Sequence, residues 1–230
     1  MISDPGRQWS IATGYGALLC GIGAVVLERP WPTDPAALPT FLAENRTAVL
    51  WQGLLFVLGA GLFMWFLGSL RTFLIRVEPV RGRVTMIAFA AGMVGYGLTV
   101  LALAPQMALT LPGRTWIDPA TAGMAVDVGY VMLTLANLPM AVMYAAVAVV
   151  SLRERAFPMW LGWVAGLAAA CCTALLFSLI DPTGPLAPQG WLSYVLYLVP
   201  VVWLAAAPTL MLLDARRRPA ETRIRFTVSA

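Results

Sequence analysis

Residues 123–152 read GMAVDVGYVMLTLANLPMAVMYAAVAVVSL, an almost wholly apolar stretch that carries a few polar side chains. These are Asp127, Tyr130, Thr134, Asn137 and Tyr144. At 100° per residue, the five fall within an arc of about 100° on one face of a helix, which we name the polar stripe. Hydrocarbon offers no hydrogen-bond partners, so a membrane helix must turn such a face towards protein or water. The stretch therefore predicts a transmembrane helix with an inward-facing polar stripe.

The composition of the whole chain also indicates a membrane protein. Of its 230 residues, 60% are hydrophobic and 11% are charged. A soluble globular domain is typically about 45–50% apolar and about 25% charged. No long polar linker divides the chain, so residues 1–230 are predicted to form a single transmembrane domain.

Six apolar runs are each long enough to cross a hydrocarbon core of about 30 Å as a helix. They cover about 9–27, 47–70, 84–104, 123–152, 159–180 and 191–213. Between the first two, Asp34-Pro35 is typical of a helix start and predicts a short interfacial helix that ends near Arg46. The fold class predicted is an all-α, polytopic bundle of six transmembrane helices.

The arginines indicate how this bundle is oriented. Six spans place both termini on one side of the membrane, and twelve of the fifteen arginines lie on that side. Only Arg29, Arg46 and Arg114 lie on the other. By the positive-inside rule, both termini are predicted to be cytoplasmic.

Two missing residue types exclude several kinds of chemistry. The chain has no histidine, and all fifteen of its basic residues are arginine. The absence of lysine excludes a lysine Schiff base and a P-loop. The absence of histidine excludes histidine-ligated metals and Ser–His or Cys–His nucleophile pairs. We expect no cofactor and no metal, and we interpret the formal charge of +4 as orientation charge rather than as a nucleic-acid surface.

Two residues of the polar stripe are the first candidates for function. Asp127 is the acid that lies well within an apolar run, and it is a candidate catalytic acid or proton carrier. Counting back about twenty residues from Leu152, however, places it among the headgroups, where it could instead stabilise a helix start. Asn137 lies deeper in the span, and two roles are open for its side chain: binding a ligand, or forming a hydrogen bond between helices.

Polar side chains on other spans can complete a pocket with the stripe. The candidate ligand-binding residues are Tyr130, Thr134, Asn137, Tyr144, Tyr96, Gln106, Gln52, Tyr194, Tyr197 and Arg114. We expect a pocket among spans two, three, four and six that opens outward, with Arg114 at its rim. The alternatives are a closed bundle core in which the same residues meet, and a loop salt bridge for Arg114.

Residues 38–71, LPTFLAENRTAVLWQGLLFVLGAGLFMWFLGSLR, resemble the DUF4386-type multi-pass proteins of high-GC Gram-positive bacteria. The features that carry the resemblance are F-L-x-x-N-R before the second span and F-L-G-S-L-R at its end. The resemblance implies a six-span bundle in a bacterial cytoplasmic membrane and supplies no activity. In its aromatic residues and intramembrane acid, the chain is also similar to small membrane-bound terpene cyclases, which have seven spans and paired acids.

Three functions remain open at this point. The first is binding, sensing or transport of a hydrophobic small molecule or lipid-like molecule in an outward-facing pocket. The second is a membrane-embedded enzyme for an isoprenoid or polyketide, with Asp127 as its acid. The third is a structural partner of another membrane protein. Membrane lipid is an expected partner in each case, nucleic acid in none, and the oligomeric state stays open.

Overall fold

The computed structural model of the chain describes residues 5–32, 34–78, 82–111, 118–187 and 190–217. Arg114, a predicted rim residue, lies outside the described residues. Within those ranges the ordered elements are all helical. The α-helices are α1 (Pro5–Leu27), α2 (Leu38–Leu74), α3 (Arg83–Leu109), α4 (Pro119–Glu154), α5 (Met159–Leu175) and α6 (Trp191–Arg217). Short 3-10 turns, Pro35–Ala37 and Leu176–Leu179, precede α2 and follow α5.

Six helices in this part of the chain are long and apolar enough to cross a membrane. This confirms the prediction of six helices that are long and apolar enough to span. Each helix packs against its neighbours in the chain, and α6 also packs against α1, so the six helices form a closed ring. We call the end where α1 begins and α6 ends the terminal end, and the opposite end the far end.

The start of α2 differs from the sequence prediction. Asp34 caps the 3-10 turn as expected, because its Oδ1 accepts the N–H of Ala36 at 2.9 Å. The turn then continues directly into α2, so the prediction of a separate interfacial helix ending near Arg46 was wrong. Pro39 does not interrupt the helix because it lies in the first turn, where its missing N–H leaves no bond unmade.

The start of α4 is fixed by its own capping residue. The Asp118 carboxylate accepts the backbone N–H groups of Ala120 and Thr121 at 3.1 and 3.0 Å, and Pro119 occupies the first turn. Hydrogen bonds, first from the Thr121 hydroxyl and then from these amides, lower the pKa of Asp118. The helix therefore begins at Pro119, four residues before the predicted span.

The helices end at different heights at the far end. The hydroxyls of Ser10 and Ser69 are hydrogen-bonded, which aligns α1 with α2 and places Leu27 level with Gln52. The hydrogen bond between Tyr197 and Asn137 likewise aligns α6 with α4 and places Trp191 level with residue 131. As a result, about 20 Å of α2 and of α4 extends past the ends of α1 and α6.

We call this extension, residues 38–51 and 119–130, the raised wall. A small buried cluster of Leu38, Leu109 and Ala122 holds it together. Arg46 adds a hydrogen bond from its Nε to the carbonyl oxygen of Thr110 at 2.7 Å, which ties α2 to the end of α3. The wall is therefore a packed unit with its own small core.

The main hydrophobic core lies between the middle of the bundle and its terminal end. It is rich in aromatic side chains, and among its fully buried members are Phe63, Phe66, Met143 and Trp203. At the far end, the buried side chains of α1, of α6 and of the turn after α5 are small, among them Ala24, Ser193 and Ser178. The large aromatic side chains of the core thus lie away from the far end.

The backbones of α3 and α4 approach each other very closely at one position. A Cβ atom added at Gly129 would lie 2.7 Å from the carbonyl oxygen of Ala102. We expect Gly129→Ala to lower the free energy of unfolding by about 1–3 kcal/mol, because the backbones must separate to admit the methyl group. The measurement is the apparent Tm of the purified protein in detergent.

Gly97→Ala is the matched control for this prediction. Gly97 is also in α3, and a Cβ atom there would meet nothing within 4 Å. Its Tm is expected to stay unchanged or to rise, because alanine favours a helix over glycine by up to about 1 kcal/mol. Equal Tm values for Gly129→Ala and the parent protein would contradict the close approach.

Candidate functional site

The polar stripe of α4 faces the protein along most of its length. Thr134, Asn137 and Tyr144 are buried, and Tyr130 is partly buried. Asp127 is exposed, because it belongs to the raised wall, where α5 and α6 no longer cover α4. Among the described residues, no hydrogen bond joins Asp127 to the rest of the stripe.

The upper part of the stripe is bonded to the end of α5. The Tyr130 hydroxyl donates a hydrogen bond to the carbonyl oxygen of Ser178 at 2.9 Å. The hydroxyls of Thr134 and Ser178 lie 3.5 Å apart. Ser178 is in the 3-10 turn that follows α5, and it is buried. The two α4 residues therefore hold α5 against α4 at the far end.

Asn137 joins α4 to α6. Its Nδ2 donates to the carbonyl oxygens of Thr134 at 3.1 Å and Leu133 at 3.4 Å, within its own helix. Its Oδ1 accepts a hydrogen bond from the Tyr197 hydroxyl at 3.3 Å. Both ends of the amide are thus used inside the protein, which is the interhelical role weighed for this residue.

Tyr96 and Tyr144 belong to the aromatic core, which lies nearer the terminal end than Thr134 and Asn137. The ring of Tyr96 stacks on Phe63 with centroids 3.9 Å apart. Tyr144 is 2% exposed and meets Trp203 edge to face, with centroids 5.3 Å apart. Such pairs contribute beyond the area that they bury, and they fill the middle of the bundle.

Glu28 is the residue of interest that sequence analysis did not select. It directly follows α1, is partly buried, and its carboxyl lies near the Tyr194 hydroxyl. Burial raises the pKa of the Glu28 carboxyl, and the nearby Tyr194 hydroxyl offsets part of that increase. The carboxyl is also close enough to Tyr197 for the two groups to interact electrostatically.

These contacts bring together five residues from α4, α6 and the end of α1 in the far-end half of the bundle. We name Glu28, Tyr130, Asn137, Tyr194 and Tyr197 the far-end cluster. Tyr197 is its centre, since it bonds to Asn137 and lies near both Glu28 and Tyr130. Protein atoms surround Tyr197 closely, yet part of its surface stays accessible.

The remaining predicted residues lie elsewhere. Gln106 of α3 packs beside Gly129 of α4, with its Nε2 3.4 Å from the position of a Cβ there. Gln52 is partly buried on α2. The structure therefore gathers polar groups of α1, α4, α5 and α6, whereas the sequence prediction combined spans two, three, four and six.

Two cavities in the described part of the chain lie at the terminal end. One, of about 180 Å³, is lined by Ser10 and Ser69 among others. The other, of about 460 Å³, lies beside Arg155 and Asp214. Neither is lined by a residue of the polar stripe or of the far-end cluster.

The raised pKa of Glu28 leads to a prediction about pH and stability. Above its ordinary pKa of 4.5, the unfolded chain loses the proton of Glu28 before the folded chain does. Protonated Glu28 therefore contributes fully to the free energy of unfolding below pH 4.5. That contribution is lost as the pH rises through the pKa of Glu28 in the folded protein. Glu28→Gln should match the parent Tm near pH 4 and exceed it by a few degrees at about pH 8.

The control is Glu44→Gln, which changes an exposed acid on the same end of the bundle. The difference in Tm between Glu44→Gln and the parent protein should be the same at both pH values. A Glu28→Gln protein that is less stable than the parent at pH 8 would show that the ionised carboxylate is stabilising.

Comparisons of the chain with family models, curated proteins and solved structures find no match. The resemblance to the DUF4386 type stays a prediction, and the function has to be inferred from the geometry of the far-end cluster.

Proposed function

We propose that the chain is a multi-pass protein of the bacterial cytoplasmic membrane, with both termini in the cytoplasm. We propose further that its far-end cluster, on the outer side, receives a small or lipid-like molecule for binding, sensing or transport. The observation that supports this most is the partly buried Glu28 carboxyl, which lies near the Tyr194 hydroxyl beyond the main hydrophobic core.

The position of Glu28 relative to the bilayer fits this function. The span of α1, Gln8–Leu27, has 20 residues and measures about 30 Å, the thickness of the hydrocarbon core. Glu28 therefore falls at the outer boundary of the hydrocarbon. A molecule there can be reached from water and from the outer leaflet alike.

The chemistry of the cluster is that of a ligand site rather than of a packed core. Burying an ionisable group is costly, and such groups concentrate at functional sites. Ligand sites combine apolar and aromatic walls with a few polar groups that fix orientation. Tyr130, Tyr194 and Tyr197 supply rings and hydroxyls, and Glu28 supplies a charge.

A structural role is the competing function for part of this cluster. The bonds that Thr134 and Asn137 make within the bundle favour it for those two residues. An enzymatic role for Asp127 has less support, since its carboxyl is exposed on the raised wall, away from Tyr197 and Tyr194.

The orientation is tested by labelling single cysteines in right-side-out vesicles, in a background whose three native cysteines are replaced by alanine. Thr183→Cys, in the exposed turn between α5 and α6, should react with a membrane-impermeant maleimide. Glu154→Cys, at the exposed end of α4, should react only after permeabilisation. The reverse pattern would place both termini outside.

The site itself is tested by two neighbouring positions on α6 in the same background. If the far-end cluster opens to water, Tyr197→Cys should react with a small, charged thiol reagent added from outside, because Tyr197 is partly exposed. Leu198→Cys should not react, because Leu198 is 59% exposed on the lipid-facing surface and hydrocarbon excludes the reagent. Unreactive Tyr197→Cys would mean a closed bundle and a structural role.

A further inference from the structure

The larger cavity at the terminal end combines charges of both signs. We call it the terminal groove. It has a volume of about 460 Å³ and is lined by Arg155, Ala156, Phe157, Pro158, Met159 and Asp214. Small-molecule sites typically measure about 300–1,000 Å³. The groove lies between the turn that joins α4 to α5 and the last turn of α6, with a cation on the first side and an anion on the second.

Phe157 fixes the position of the turn. It is 3% exposed, so its side chain belongs to the main hydrophobic core. Its ring centroid lies 4.8 Å from that of Phe73 on α2 and 6.4 Å from that of Trp203 on α6. The turn is thus anchored to both helices through the aromatic core, and the groove has a defined shape.

Arg155 adopts a backbone conformation that is unfavourable for its residue type. Its φ of 55° and ψ of 38° lie in the left-handed region, where glycine commonly ends a helix. Among the described residues, no hydrogen bond or ion pair of its guanidinium offsets this strain. Strained residues of this kind cluster at ligand sites.

The start of α5 adds backbone donors on the same side of the groove. The helix begins at Met159, after Pro158, and no side chain caps it. The first N–H groups of a helix have no partner within the helix, and they lie at the positive end of its dipole. Together with the guanidinium of Arg155, this helix start is suited to a phosphate group.

Asp214 supplies the opposite charge on the α6 side. Its carboxyl has other interactions, but its Oδ2 is buried and accepts no hydrogen bond from the described residues. An aspartate carboxyl rotates readily about its last side-chain bond, so this oxygen can turn towards a donor in the groove. Since α6 ends at Arg217, the negative end of its dipole lies within one turn. Both features favour an ammonium group here.

The groove also has apolar surface beside it. The apolar helix α4 ends at Glu154 and the next begins at Met159, so Arg155 falls between two segments that are able to span a membrane. Met159 and Leu213 are exposed to 60% and 43%. A headgroup in the groove can therefore remain attached to acyl chains that lie along α5 and α6.

We propose that the terminal groove binds a phosphoethanolamine headgroup, with its phosphate at Arg155 and the start of α5 and its primary ammonium at Asp214. Exposed arginines at this end, such as Arg153 and Arg216, attract any anion. The Asp214 carboxylate disfavours an anion that carries no ammonium group. This site is separate from the far-end cluster and does not depend on the function proposed for that cluster.

The test measures lipid binding to the full chain, purified in detergent, by native mass spectrometry. The probes are the dioctanoyl forms of phosphatidylethanolamine, phosphatidylcholine and phosphatidylglycerol, which share a phosphate and differ in the group attached to it. The ethanolamine lipid should bind at least about tenfold more tightly than either of the others, because only its ammonium donates hydrogen bonds to a carboxylate. Equal affinities for the three lipids would overturn the proposal.

Variants at the two charges assign the two parts of the headgroup. Asp214→Asn should abolish the preference for the ethanolamine lipid over the glycerol lipid, whereas Glu154→Gln, which changes an exposed acid outside the groove, should keep it. Arg155→Gln should weaken binding of all three lipids, and Arg153→Gln should weaken none. An unchanged preference in Asp214→Asn would overturn the assignment of the ammonium to this carboxylate.

A further variant separates lipid binding from folding. Arg155→Gly removes the cation and relieves the left-handed strain, so its Tm should equal or exceed that of the parent protein. Its affinity for the ethanolamine lipid should nevertheless fall by about tenfold. Unchanged lipid affinity in this stable variant would overturn the role of Arg155.

Soluble phosphoethanolamine identifies the source of the headgroup. If the headgroup comes from a lipid, the soluble compound should displace the ethanolamine lipid only at a concentration at least about a hundredfold higher, because it lacks the apolar contacts of the acyl chains. Displacement at equal concentration would support the same recognition with the free compound as its source. No displacement at any concentration would overturn recognition of the headgroup.

Discussion

Hydrocarbon cannot accept or donate a hydrogen bond, and this constraint fits the inward arrangement of Tyr130, Thr134 and Asn137 on α4. Asn137 uses its amide nitrogen on carbonyl groups of its own helix and its oxygen on Tyr197. Thr134 and Tyr130 turn to Ser178. The packing of α4 against α5 and α6 follows from these bonds as well as from the apolar core.

The carboxyl groups at the two ends of the bundle differ in their hydrogen-bond partners. At the terminal end, Glu78 accepts hydrogen bonds from the amides of Val84 and Thr85 and from the Thr85 hydroxyl, and so caps α3. Burial raises the pKa of Glu78, but these bonds together outweigh it and lower the pKa. Among the described residues no backbone amide donates to Glu28, and burial raises the pKa of its carboxyl.

The number and position of the spans could be predicted because apolar length is a local property of the chain. The inward direction of Thr134 and Asn137 followed from helical periodicity for the same reason. The role of Glu28 could not be predicted, since it depends on the contact of α6 with α1, across most of the sequence. The exposure of Asp127 agrees with the headgroup alternative, which follows from counting about twenty residues back from Leu152.

The raised wall gives the molecule a shape with a sheltered side. Residues 38–51 and 119–130 extend past the ends of α1 and α6 on one side of the far-end cluster. Under the proposed function, a lipid-like ligand would reach the cluster by diffusion within the leaflet, in two dimensions. Its occupancy would then follow its mole fraction in the lipid rather than its concentration in the surrounding water.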